Sequence, residues 1–378
     1  MEAKRKPIRA IISGGGTGGH IFPAVSIGKC LKELNPDSEL LFVGAQGKME
    51  MEKVPAAGFK IVGLPILGIQ RQLNLRNIKN NIQVPFKVLR SLRLAGRIID
   101  DFKPDIVIGV GGYASAPLLW KAVRKGVPAL IQEQNGFAGL TNKILSKKVQ
   151  RICVAYEGME RFFPAEKIVL TGNPIRPEIK PASPEMKQEA LEFYGLDPRK
   201  KHIVVLGGSL GSRTLNNAMY RWITDGCKGS NGIEVLWQCG RYYKKEADAF
   251  MAAHPGASFI HHSDFITRMD LAYALADVVV SRSGASSVSE ICAAAKASIL
   301  VPSPNVAEDH QTHNAMALVK KGAAQLVRDS DAEEVLMEKA TSLARNSEAV
   351  AALEANVAPL ARTDAALRIA NEIYDIIG

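Results

Sequence analysis

Three glycine-rich turns, each placed where a short apolar run hands over to a helix-like segment, restrict this 378-residue chain to a narrow set of architectures. They are Gly14-Gly15-Gly16-Thr17-Gly18-Gly19-His20, Gly109-Val110-Gly111-Gly112-Tyr113 and Gly207-Gly208-Ser209-Leu210-Gly211-Ser212. The runs before them (Arg9–Ser13, Asp105–Ile108 and His202–Leu206) are short and β-branched, as buried parallel strands are. Glycine lets a backbone bend sharply and approach a ligand, and the helix that follows presents free N–H groups to an anion. Two such turns in the first half and one in the second suggest two phosphate-bearing ligands meeting between two domains.

Length points the same way, because a chain of this size exceeds one ordinary core. Strand-like runs alternate with helical stretches: Glu39–Val43, Ile61–Leu64, Ala129–Gln132, Arg151–Ala155 and Lys167–Leu170. A Pro-rich stretch (Pro174, Pro177, Pro181, Pro184) reads as a linker, after which the alternation resumes through Ile233–Gln238, Ser258–His261, Val278–Ser281, Ser298–Val301 and Ala324–Val327. The expected class is α/β with doubly wound parallel sheets. Residues 349–377 read as Ala-rich and helical, with no strand after them.

No apolar run reaches the roughly 18–20 residues that span a bilayer, and Ile8–Ser13 is too short for a signal sequence, so a cytoplasmic protein is expected. Five scattered cysteines without a C-x-x-C pair suit reduced thiols and argue against structural zinc. Charge is unevenly divided. Residues 1–174 carry 26 Lys/Arg against 13 Asp/Glu, while the remainder carries 22 against 25. Between Glu52 and Asp100 there is no carboxylate, and basic residues (Arg71, Arg76, Lys79, Lys87, Arg90, Arg93, Arg97) alternate with apolar ones. That stretch is either a solvated helix face or a surface for anionic lipid. Nucleic acid is disfavoured, since no binding motif or aromatic platform accompanies the charge.

Gly14, Gly16 and Gly19 satisfy the G-x-G-x-x-G spacing of dinucleotide sites, but the second strand ends in Gly44-Ala45-Gln46 without the acid that would hold a ribose. A nicotinamide enzyme is thereby disfavoured. The ordered set Gly15–His20 with Phe22-Pro23, Gly111–Ser115, Glu133-Gln134-Asn135-Gly136, Gly139–Asn142, Gly172–Arg176, Gly207–Ser209, Ser281–Ala285, Ser289-Glu290 and Asp309-His310-Gln311 resembles the MurG family within glycosyltransferase family 28. The resemblance covers about residues 8–375.

It implies the GT-B architecture, two Rossmann-like domains facing across a cleft, and transfer of GlcNAc from UDP-GlcNAc to lipid I with inversion, giving the lipid II of peptidoglycan synthesis. The expected division is 1–174 for acceptor and membrane, and 175–359 for the donor, with a helix at about 360–378 returning to the first domain. On the donor side the resemblance implicates Thr17, Gly18, Gly19, Asn135, Arg176, Ser209, Ile266, Ala285, Ser286, Ser287, Val288, Ser289, Glu290 and Gln311. Glu290 would take the ribose hydroxyls, although a helix-dipole or capping role fits its position as well. The acceptor pyrophosphate would rest on Gly15, Gly16, Gly111, Gly112 and Tyr113.

His20 is the candidate general base, with a structural loop histidine as the alternative; Glu133 could compete as base or be a buried, paired carboxylate. His310-x-x-His313 could suggest a metal pair, but the family does not use it so. No metal or cofactor is expected. Expected partners are UDP-GlcNAc, lipid I, an anionic membrane surface on the cytoplasmic face, where the protein would be peripheral, and other cell-wall synthesis proteins. Gln132 departs from the His of many relatives, Ser287 from Thr, Ser212 from Ala, and Pro304–Glu308 from a Gln-rich run. A related transferase on another lipid, a UDP-GlcNAc 2-epimerase and an inactive membrane scaffold are the competing readings.

Overall fold

A computed structural model describes residues 5–66, 84–112, 114–208 and 210–378. Tyr113, Ser209 and the 67–83 part of the basic stretch, with Arg71, Leu75, Arg76 and Lys79, lie outside them. The chain forms two compact units, Met1–Ile175 with Asp364–Gly378, and Arg176–Thr363.

The first unit is built on seven parallel strands: β1 (Arg9–Ser13), β2 (Glu39–Ala45), β3 (Lys60–Leu64), β4 (Ile106–Gly109), β5 (Ala129–Glu133), β6 (Arg151–Val154) and β7 (Ile168–Leu170). Their order is β3-β2-β1-β4-β5-β6-β7. The strand period of two sends alternate side chains to opposite layers. Ala10 and Ile12 of β1 pack with the helices Gly18–Leu34 and Ala365–Ile377, whereas Ile11 packs with Val84–Phe102 and Ser115–Arg124. Each isoleucine buried this way contributes about 1.5–3 kcal/mol.

Six parallel strands build the second unit: β8 (Lys201–Leu206), β9 (Ile233–Gln238), β10 (Ile260–Ser263), β11 (Val278–Ser281), β12 (Ser298–Leu300) and β13 (Gln325–Leu326), in the order β10-β9-β8-β11-β12-β13. Ile203 and Val205 pack with Leu215, Met219 and Leu336. In both sheets the winding reverses beside the first strand of the unit, between β1 and β4 and between β8 and β11. Open α/β sheets bind ligands at the carboxyl edge of such a reversal, and all three glycine-rich turns lie there.

Two local expectations are refined. The strand expected at Ser258–His261 starts at Ile260, because Pro255–Ala257 forms a 3-10 turn first. The C-terminal segment is two helices, Ser347–Val357 and Ala365–Ile377, separated by a 3-10 turn containing Pro359 and by Ala361–Asp364. Proline supplies no N–H to continue a helix. After the break Ile369, Ala370 and Ile373 are fully buried in the first unit; Arg151 pairs with Glu372 at 3.2 Å, and Tyr374 donates to the Lys6 carbonyl.

At the opposite edge of the second sheet, His202 is buried with neither ring nitrogen hydrogen-bonded, 3.6 Å from Glu234 and 3.9 Å from Asp277. Burial pushes the imidazole below its ordinary value, assisted by Lys187 and opposed by the two carboxylates, each of which also pairs with a lysine, Lys200 or Lys201. The unfolded chain therefore binds the proton first as pH falls below about 6.5, and stability drops through that window. Between about pH 7.5 and 5.5 the urea midpoint should fall more steeply in the wild type than in His202→Leu. Equal slopes would mean that His202 is protonated in the folded state as readily as in the unfolded one.

Candidate functional site

In the first unit, Ser13 of β1 lies beside Gly109 of β4, so the first two glycine turns leave the sheet at the same level. They then touch backbone to backbone. Gly112 has φ of +89°, and a Cβ there would collide with the Gly15 carbonyl. Gly111 has φ of +93°, and a Cβ there would stand 2.8 Å from His20 Nε2. Ser115 cross-links the turns, its hydroxyl lying 2.8 Å from both the Ser13 and Gly111 carbonyls.

Thr17 is the extended N-cap of the helix Gly18–Leu34, and its carbonyl accepts the His20 N–H, so the imidazole stands in the first turn. His20 Nδ1 is 3.1 Å from the Gly15 carbonyl oxygen and 3.3 Å from Thr17 Oγ1. Beneath the turn lies a residue that sequence reasoning passed over. Glu50, 0% exposed, accepts the Gly16 N–H at 2.9 Å and the Ala45 N–H at 2.9 Å. Its helix, Glu50–Ala56, is a single short element with no periodic signal pointing at the turn.

Glu133 ends β5, and both its oxygens are engaged. Oε1 accepts the Asn135 N–H at 3.2 Å and the Asn135 amide at 3.4 Å; Oε2 accepts the Gly139 N–H at 3.0 Å and the Asn142 amide at 2.8 Å. Burial holds its carboxyl above the ordinary value even so. Gln132 belongs to a buried amide network: it donates to Asn173 at 2.9 Å and accepts from Gln134, while the Asn173 amide returns to the Gln134 carbonyl at 3.0 Å. Gln134 also donates to the Val110 carbonyl, which anchors the second glycine turn.

The second unit holds the donor-side candidates Arg176, Ile266, Ala285–Glu290 and Gln311, whereas Thr17, Gly18, Gly19 and Asn135 lie in the first. Gly211 has φ of +91°, and a Cβ at Gly240 would collide with its backbone, so the third glycine turn packs directly on the turn after β9. Ser212 caps the helix Arg213–Thr224 through the Leu215 N–H and also accepts from Arg282 Nε at 2.9 Å. Arg282 further donates to the Val301 carbonyl and pairs with Asp329, tying together the turns that follow β8, β11, β12 and β13. The helix Ala285–Ala293 starts from Gly284, with Ala285, Ser286, Ser287, Val288 and Ser289 in its first turns.

On that helix, buried Glu290 receives Arg176 Nε at 3.0 Å and a second Arg176 nitrogen at 2.8 Å, both on Oε1, and the Tyr273 hydroxyl at 3.2 Å on Oε2. Burial keeps the Glu290 carboxyl above its ordinary value, with Arg176 and Tyr273 pulling it back. Ile266 is buried and gives its N–H to Gln238 at 3.0 Å. Gln311 accepts the Ser303 N–H at 2.9 Å, and its carbonyl accepts from Ser283 at 2.8 Å. Thus Arg176, Ile266, Ala285–Glu290 and Gln311 belong to the second unit, and Gly15–His20, Gly111, Gly112, Glu133 and Asn135 to the first. Among the described residues no group of three or more His, Cys, Asp or Glu could hold a metal ion, the His310 and His313 region included.

Two Rossmann-like parallel sheets, each with glycine-rich turns at its reversal point, are the GT-B architecture, which the MurG structure below shares. Comparison with known proteins gives the particular group. The glycosyltransferase family 28 N-terminal domain matches residues 10–154, and the glycosyltransferase family 28 C-terminal domain matches residues 202–369. The UDP-N-acetylglucosamine–N-acetylmuramyl-(pentapeptide) pyrophosphoryl-undecaprenol N-acetylglucosamine transferase of Parabacteroides distasonis is 54% identical over 369 residues, 98% of each chain. The enzyme of the same name from Cytophaga hutchinsonii is 53% identical, over 99% of this chain and 98% of its own. The crystal structure of Acinetobacter baumannii MurG superposes with a TM-score of 0.76 at 28% identity, covering 98% of this chain and 100% of that one. A UDP-N-acetylglucosamine 2-epimerase structure, at 14% identity and a TM-score of 0.65, shares the fold. The chain belongs to the MurG family of N-acetylglucosaminyltransferases.

The Glu133 geometry makes a direct prediction. Glu133→Ala strands two backbone and two amide donors, and urea unfolding should register a loss of about 2–4 kcal/mol. A change below about 0.5 kcal/mol would place those donors in water.

Proposed function

We infer that this chain transfers GlcNAc from UDP-GlcNAc to the 4-hydroxyl of the MurNAc in undecaprenyl-pyrophosphoryl-MurNAc-pentapeptide, with inversion. The observation that carries the mechanism is the placement of His20. A carbonyl oxygen only accepts, so the 3.1 Å contact with Gly15 favours the Nδ1–H tautomer over donation to Nδ1 from the Thr17 hydroxyl at 3.3 Å, and in that tautomer Nε2 is the basic nitrogen. In the reaction Nε2 takes the proton of the acceptor hydroxyl as its oxygen attacks the anomeric carbon in line, and UDP departs. Glu133, with both oxygens engaged, is the poorer base.

Most of donor binding falls to the second unit. With two Arg176 contacts on Oε1 and one Tyr273 contact on Oε2, Glu290 retains acceptor capacity on Oε2 for a ribose hydroxyl. Ile266 has committed its N–H to Gln238, so the uracil imide would meet its carbonyl. In the second unit the N-terminal turn of Ala285–Ala293 offers free N–H groups to the diphosphate, and the family resemblance adds Ser209, Thr17, Gly18 and Gly19 to the donor residues. Gln311 and Asn135 orient the donor sugar. The acceptor pyrophosphate rests on Gly15, Gly111, Gly112 and Tyr113, with Gly16 shaping the turn. Helix N-termini and side chains carry the leaving-group charge in place of a metal ion.

A lipid-linked acceptor brings its enzyme to the cytoplasmic face of the membrane as a peripheral protein. Among the described residues no helix is long and apolar enough to cross a bilayer. The helix Val84–Phe102 exposes Phe86 (76%) and Leu89 (49%) beside Lys87, Arg90 and Arg93, a pairing of apolar and cationic groups that suits anionic headgroups.

Incubating the purified chain with labelled UDP-GlcNAc and a lipid I analogue should yield a labelled disaccharide lipid; no product would overturn the reading. His20→Ala should lower kcat by about 10²–10⁴-fold with little change in either KM. Glu290→Ala should raise the donor KM by about 10–100-fold, the loss of one or two charge-assisted bonds. Near-wild-type constants in either variant would remove that residue from its role. Replacing Phe86 and Leu89 by Ser and Arg90 and Arg93 by Glu should release the protein from anionic vesicles, while activity on a soluble short-chain acceptor is retained. Undiminished vesicle binding would assign the helix to an ordinary solvated face.

A further inference from the structure

The Gly15–Gly16 peptide bond has a partner on each side. Its N–H, on Gly16, donates to Glu50 Oε2 at 2.9 Å, and its carbonyl oxygen, on Gly15, is 3.1 Å from His20 Nδ1. The three groups therefore form a line in which a buried carboxylate acts on the imidazole through one planar, conjugated amide. A carboxylate accepting an amide N–H draws electron density toward the carbonyl oxygen and makes it a better acceptor. We propose that Glu50 is a positioning residue for glycosyl transfer, acting on His20 through the Gly15–Gly16 peptide to hold the Nδ1–H tautomer and to favour the imidazolium that forms during attack.

The slot for Glu50 is built into the chain. A Cβ at Gly15 would collide with the carboxylate, and one at Gly44 would come within 2.5 Å of Glu50 Cγ. Gly16 adopts φ of +86° with open space where a Cβ would be, so its glycine serves the backbone twist that turns the N–H inward. The other carboxylate oxygen holds the Ala45 N–H at the end of β2, which anchors the side chain to the sheet. A carboxylate placed under an anion-binding turn works against anion binding, and its retention there is explained if its work is done on the base. It also occupies the Gly16 N–H, which is then withheld from the acceptor pyrophosphate. No proton reaches Glu50: the acceptor proton goes to Nε2, and the Nδ1 proton stays shared with the Gly15 oxygen.

This proposal rests on His20 being the base, and the experiment separates the two. Turnover on a soluble short-chain lipid I analogue is measured for the wild type, Glu50→Gln, His20→Ala and the double variant. Glu50→Gln should lower kcat by about 10–100-fold with donor KM within about twofold, as expected when the group orienting a base is lost. In the His20→Ala background the same change should have no further effect on kcat, because Glu50 acts through that ring. If Glu50→Gln turns over like the wild type, or costs the same factor without His20, the proposal falls while the base survives. If His20→Ala is fully active, the base falls and the proposal with it. Nitrogen NMR of ring-labelled histidine in the wild-type protein gives a test that needs no folded variant. His20 should show Nδ1–H in its neutral form, and an Nε2–H tautomer would overturn the proposal.

Discussion

Backbone-on-backbone contact between turns is the constraint on which the rest depends. In the first unit Gly112 lies against Gly15, and in the second Gly240 lies against Gly211, each pair closer than any side chain permits. Register places these turns: Ser13 beside Gly109, and Leu206 beside Gln238, bring strands adjacent in the sheet but distant in sequence to one level. Once the turns meet, the neighbouring N–H groups and the His20 ring have little freedom left. An alanine at Gly112 would clash with the Gly15 carbonyl and strain a backbone at φ of +89°, displacing the oxygen that holds His20.

Three buried carboxylates stand behind the site, and their burial has a common logic. Glu50, Glu133 and Glu290 are each under a tenth exposed, and each accepts from donors that fix a turn or a neighbouring side chain. Burying an ionised carboxylate is costly unless its lone pairs are filled. Glu133 meets that condition with neutral donors alone, whereas Glu290 needs Arg176 beside it. In both, burial still outweighs the partners and raises the carboxyl. Such groups give rigidity more than net stability, which suits turns that must hold their shape when a charged ligand arrives.

What the sequence made legible follows from the range of the interactions involved. Short β-branched runs and glycine turns are local signals, so both sheets and the three turns could be read directly, with strand edges displaced by a residue or two. The motif residues Arg176, Glu290 and Ile266 could be named, but not the pairing of Arg176 with Glu290 across 114 positions, nor the Tyr273 hydroxyl beside it. Glu50 stayed hidden because nothing in a seven-residue helix announces that one carboxylate turns inward to a glycine 34 positions earlier. Arg282 lay inside a quoted motif, yet its role as a clamp on four turns depends on sheet order. The separate helix at about 360–378 was legible, but not that a 3-10 turn at Ala358–Leu360 and the residues Ala361–Asp364 set it off from Ser347–Val357.

The two units wind alike but brace their first turn with opposite charge, and the chemistry assigned to each makes sense of the difference. Beneath the turn after β1 sits a carboxylate; against the cap of the turn after β8 sits the Arg282 guanidinium. In the proposed mechanism, proton abstraction creates a cation on the imidazole, which an anionic brace would stabilise and a cationic one would oppose. On the same proposal, departure of a nucleoside diphosphate would gather negative charge near the second unit's turns, where a cationic brace would add to the helix N-terminus. Exchanging the two signs would work against both charges, and a guanidinium at position 50 would also leave the Gly16 and Ala45 N–H groups without an acceptor. The sign of each brace suits the charge that the proposed transfer would develop at its turn, and it also meets a local need, an acceptor for the Gly16 and Ala45 N–H groups in one unit and a donor to Ser212 and the Val301 carbonyl in the other.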